Sequence, residues 1–93
     1  MNFGDWRNSI LCYLSADSFE PEVLKARLHA SPGWREEFRL AFEAALAANN
    51  FNIVEWQRDL NFQFGSDREL RAWLEKVFKF LFASGGTPTA PGQ

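Results

Sequence analysis

Few residues in this 93-residue chain could do chemistry, and their spacing decides how far each can be taken. His29 is the single histidine, a side chain that serves as general base or metal ligand where other groups fix it. On a helix it stands roughly 100–140° from Leu24 and Leu28, so it is expected to face solvent. Cys12 is the single cysteine, which excludes an intramolecular disulfide and supplies no zinc set. It lies opposite Leu14 on its helix and has no identifiable electropositive setting, so it reads as a partly buried structural thiol. The acidic pairs Glu20/Glu22 and Glu36/Glu37 could share a proton or a metal. One pair flanks a proline that opens a helix, and the other occupies early turns of the next. The helix dipole accounts for both. Gly85 and Gly86 do not join a strand to a helix, so they cradle no phosphate. The residues assign no catalytic, cofactor or metal site and point away from an enzyme.

Charge narrows the partners. Ten basic residues are interspersed among twelve acidic ones, for a net charge of −2, and no basic run occurs. Direct binding to DNA or RNA is disfavoured, because it needs a basic patch. A mildly acidic surface suits a basic protein partner. The N-terminal MNFGDWRNSI carries Asp5 and Arg7 where a signal peptide would be apolar, and no apolar run reaches about 18 residues. A cytoplasmic protein without a membrane partner is expected.

The elements that carry these residues read as helices. Phe3, Trp6, Ile10, Tyr13 and Leu14 follow helical spacing and predict a helix over 3–14. Glu20-Pro21-Glu22 announces a second to about Ala30, with Leu24 and Leu28 inward. Ser31-Pro32 caps a third, whose stripe is Trp34, Phe38, Ala41, Phe42 and Ala45, ending at Asn49-Asn50. Asn52 with Glu55 resembles a capping box for a short fourth helix bearing Ile53, Trp56 and Leu60. Phe62 and Phe64 reach one side only if the chain is extended there. Ser66-Asp67-Arg68-Glu69 is a Ser-x-x-Glu box opening the last helix to about Phe82. Its inward residues are Leu70, Trp73, Leu74, Val77, Phe78 and Leu81. Phe80 and Phe82 fall on its two edges and widen the apolar sector to about 200°.

The expected fold is therefore all-α, a compact bundle of about five short helices over residues 1–83. The Gly/Pro-rich tail, 84–93, is expected to be disordered. With 10 Phe, 4 Trp and 1 Tyr, aromatic area can build a core without disulfides or metal. The four Trp fall on their helix stripes. Phe80, Phe82, Leu11 and Leu40 lie off theirs, and exposed together they would form an interface patch.

The run FNIVEWQRDLNFQFGSDRELRAWLEKVFKFLF resembles the C-terminal half of small immunity proteins of bacterial contact-dependent growth inhibition systems. It has their capped short helix, aromatic loop, Ser-x-x-Glu box, Leu-x-x-Trp-Leu and terminal aromatic Leu-Phe. Phe19-Glu20-Pro21-Glu22 fits the same outline. The resemblance implies a protein that binds and neutralises a cognate toxin domain, commonly a nuclease. No family binding residue maps onto this chain. From expected exposure, the partner-binding surface is Asp17, Glu20 and Glu22 of the Asp17–Glu22 turn, with Glu36, Arg39 and Glu43 of the third helix. The alternatives are a phage inhibitor or a small adaptor dimerising through Phe80 and Phe82, so a monomer or weak homodimer is expected. A helix-turn-helix regulator lacks a basic recognition helix, since Glu36, Glu37 and Glu43 offset Arg35 and Arg39.

Overall fold

The computed structural model describes residues 3–49, 51–83 and 85–89, with only the backbone for 3–5 and 18. The elements are α1 (Phe3–Leu14), β1 (Ser18–Phe19), α2 (Pro21–Ala30), α3 (Pro32–Ala48), α4 (Ile53–Leu60) and α5 (Asp67–Phe82). The protein is all-α, and β1 is only a two-residue extended stretch beside a bridge between Leu14 and Phe19. The radius of gyration is 12.3 Å, the value expected of a compact chain of this length, about 12 Å.

Local chemistry sets the helix ends. α2 and α3 both begin at a proline, whose missing N–H is no loss in a first turn. Ser31 occupies the N-cap of α3, but its side chain makes no cap bond; its backbone N–H closes α2 by donating to the Leu28 carbonyl at 3.2 Å. α3 and α4 end on Asn49 and Asn61 in the left-handed region, at φ 51° and 60°. Asparagine tolerates that conformation better than most side chains. Asn52 Oδ1 accepts from the Glu55 N–H at 3.2 Å, and Ser66 Oγ from the Glu69 N–H at 3.3 Å. Glu69 reaches back as a capping box requires, but to the Gly65 N–H at 2.6 Å, one residue earlier than usual.

α3 is the central helix, packed on α1, α2 and α5, while α1 also meets α4 and α2 also meets α5. Every buried residue among those described is apolar. Phe42 is completely buried, and ring contacts run from it to Trp6 (5.1 Å), Phe78 (5.2 Å) and Phe38 (6.1 Å). A second aromatic group joins Trp73 to Phe64 (5.7 Å) and Phe62 (6.4 Å), with Phe19 edge-on to Phe62 at 6.0 Å. The 62–64 segment, which has no regular secondary structure, thus delivers two rings to Trp73 of α5, Phe64 buried and Phe62 half-buried. It is pinned by the Phe64 N–H donating to Gln57 Oε1 at 2.7 Å.

Several expectations change. Phe80 is core, 5% exposed, because α5 is covered by α2 as well as α3; the Lys25 ammonium lies 4.6 Å from its ring centroid. The broad apolar sector of α5 thus serves two neighbouring helices. Phe82 and Phe78 are half-buried, in mutual contact at 5.1 Å, and Leu11 is half-buried against the core. Only Leu40 of the proposed patch is exposed. Trp34 is half-buried at the start of α3, although it lies on the core stripe, and Cys12 is exposed. The Phe3 side chain lies outside the described residues.

The tail expectation can be followed over residues 85–89, which have no regular secondary structure. They lie against the helical body: Pro88 is buried, the Gly85 N–H donates to the Lys79 carbonyl at 3.2 Å, and Trp73 Nε1 donates to the Thr89 carbonyl at 3.1 Å. Residues 84 and 90–93 lie outside the described residues.

Candidate functional site

The six residues expected to bind a partner fall into two groups. Asp17, Glu20 and Glu22 occupy the connector into α2 and its first turn, and all three are exposed. Backbone bonds hold this connector at both ends. The Ala16 N–H donates to the Leu60 carbonyl at 2.8 Å, and the Glu20 N–H to the Tyr13 carbonyl at 2.6 Å. The carboxylates of Glu20 and Glu22 flank the buried Pro21 ring, so the helix start is positioned by packing rather than by a side-chain cap.

Glu36, Arg39 and Glu43 share the outer face of α3. Arg39 is clamped between the other two, through an ion pair to Glu36 and an NH1 contact of 2.6 Å to Glu43. The Arg39 hydrogen bond holds the Glu36 carboxyl below its ordinary range, and the two glutamates raise the guanidinium. Arg39 is therefore a brace that orders two carboxylates, and the triad carries a net charge of −1. Leu40 lies on the same face one turn from Glu36 and is 39% exposed. Sequence spacing had set Leu40 with Phe80 and Phe82. The structure instead places it amid acidic side chains, since Glu36, Glu37 and Glu43 are all exposed around it. No ion pair joins this triad to Asp17, Glu20 or Glu22 among the described residues.

Two other charged groups are structural. Arg7 pairs with Asp59 and lies over the Trp56 ring at 5.2 Å, tying α1 to α4. Arg58 donates to Asp59 at 3.0 Å, and these bonds, Arg58's first, hold the Asp59 carboxyl below its ordinary range. Arg71 of α5 donates to the Leu46 carbonyl at 2.5 Å and Asn49 Oδ1 at 2.9 Å, closing the C-terminus of α3. Sequence reading missed this contact because its partners are 25 and 22 residues away.

His29 and Cys12 are both exposed and lie on different helices. Among the described residues, no group of three His, Cys, Asp or Glu side chains converges as a metal site would require. No helix of the described residues is long and apolar enough to cross a membrane. The arrangement is an all-α domain whose ordered polar chemistry sits on its outer faces. No family model matches the chain, and no curated protein or solved structure matches it.

Proposed function

We propose that the protein is an immunity protein: it binds a cognate toxin domain, with a nuclease as the best-suited class, and neutralises it by a protein–protein contact. Two things support the reading. One is the likeness of residues 51–82 to small immunity proteins of contact-dependent inhibition systems. The other, which carries the choice of surface, is the outer face of α3: two carboxylates ordered by Arg39 around the exposed Leu40. A nuclease presents a basic substrate cleft. A braced acidic face with an apolar side chain at its centre suits such a cleft, charge guiding encounter and Leu40 supplying desolvated contact. Asp17, Glu20 and Glu22 extend the acidic surface on the connector.

The test is capture on the tagged full-length chain from its native host, followed by assay of the captured protein. The expected result is a basic domain that arrests growth when expressed alone and is silenced by the added chain. Glu36→Lys combined with Glu43→Lys should weaken that complex at least tenfold. A captured protein without toxicity, or a complex indifferent to this charge reversal, would overturn the function or the surface respectively.

A further inference from the structure

The tail crosses the body in the manner of a bound peptide. Thr87-Pro88-Thr89 runs without regular secondary structure, Pro88 is buried, and the Trp73 indole N–H donates to the Thr89 carbonyl at 3.1 Å. An indole donor to a main-chain carbonyl beside a buried proline, on an aromatic floor, is how proline-containing extended segments are recognised. Here Thr89 meets Trp73, which packs on Phe62, and Pro88 shares a cavity with Phe19, whose ring is edge-on to Phe62. Trp73 contrasts with Trp6, whose buried Nε1 has no partner among the described residues. On α5 the indole is satisfied by the tail.

The tail leaves part of its groove unfilled. A cavity of about 390 Å³ lies between Thr87 and Pro88 on one side and Phe19, Glu20, Pro21 and Glu22 on the other. Gly86, the residue before Thr87, carries no side chain, and a Cβ built on it meets nothing within 4 Å. Two exposed carboxylates therefore border a space next to a position that the tail leaves bare.

We propose that this groove is a receptor for an extended segment of a protein partner with the pattern basic residue-Thr-Pro-Thr, and that residues 85–89 occupy it in cis. The partner's proline takes the Pro88 position, its following carbonyl accepts from Trp73, and its basic side chain fills the cavity toward Glu20 and Glu22. Among the described residues the tail is held by one indole bond, one backbone bond and one buried ring, which makes it a weak competitor. Its short tether gives it an effective concentration of order millimolar. This inference shares Glu20 and Glu22 with the acidic surface proposed above but does not rest on the toxin reading, and it is tested separately with a peptide.

The experiment uses the full chain and a peptide, acetyl-Ala-Arg-Thr-Pro-Thr-Ala-amide, titrated while the Trp73 indole resonance is followed by NMR. Pro88→Gly removes the buried ring of the tail and leaves the groove intact. The expected result is binding at least tenfold tighter to Pro88→Gly than to the unaltered protein. Replacing the peptide's proline by alanine should abolish the effect, and replacing its arginine by glutamate should weaken binding severalfold. Equal affinity of both proteins, indifference to the peptide's proline, or no shift of the Trp73 resonance with either protein would each overturn the proposal. Circular dichroism of Pro88→Gly, expected to match the unaltered protein, establishes that the fold is retained.

Discussion

Replacing Phe80 by alanine separates two ways of using the aromatic surplus of this chain. The ring is 5% exposed on α5, covered by α2, with the Lys25 ammonium 4.6 Å from its centroid. Truncating a ring so placed removes its transfer free energy and leaves a cavity, at a cost of about 3–4 kcal/mol. Loss of the Lys25 contact adds about 0.5 kcal/mol, since that ammonium is part exposed. A chain of 93 residues has a total stability of roughly 5–14 kcal/mol, so the variant should remain folded but much weakened. The melting temperature should fall by about 12–25 °C. Urea unfolding followed by tryptophan fluorescence measures the difference directly, with an unchanged slope expected. Phe82→Ala is the companion: its half-buried ring contacts Phe38 and Phe78, and its loss should cost about 1–2 kcal/mol. The reasoning fails if Phe80→Ala costs under about 1 kcal/mol, or if it changes the sedimentation coefficient while leaving stability intact. The second result would make Phe80 a contact between copies rather than core.

Other outcomes follow from single contacts. Arg71→Met should destabilise by about 1–2 kcal/mol, measured by denaturant midpoint, because the Leu46 carbonyl and Asn49 lose a charged donor. Ser66→Ala should cost about 1 kcal/mol, and Glu69→Gln should soften the same helix start, seen as faster amide exchange at Gly65 and Glu69. Asp59 and Glu36 have folded-state pKa values below their ordinary ones, so their contribution is present above the ordinary carboxylate range and is lost as pH falls through the depressed values. Asp59→Asn should therefore lower the urea midpoint at pH 7, where that contribution is present, and flatten the acid limb, so that the two proteins converge below about pH 4. An unaltered acid limb would show that the Arg58 and Arg7 contacts are not maintained in solution.

The helices were legible because their signals are local. Period-3.6 stripes, prolines at Pro21 and Pro32, the asparagine at Asn49 and the Ser66 box each act within a turn of their own position. The solvent-facing residues Asp17, Glu20, Glu22, Glu36 and Glu43 were legible for the same reason, since a stripe defines its opposite face. What a wheel cannot tell is how many neighbours a helix has. Phe80 reads as an edge until α2 is known to cover it, and Trp34 reads as core until the first turn of α3 is seen to project beyond the packed centre. Cys12 likewise stands exposed because none of the described residues covers the outer side of α1 at that point.

The sequence by itself determined the all-α class, the five helices with their ends, and the acidic face of α3, all consequences of short-range backbone and solvation preferences. Tertiary structure alone decided which side chains meet. It brought Arg71 to the end of α3 and Arg7 to Asp59, and it laid Thr89 beside Trp73. Those pairings join residues separated by 16 to 52 positions, and only the packing of whole helices brings such distant groups within bonding reach.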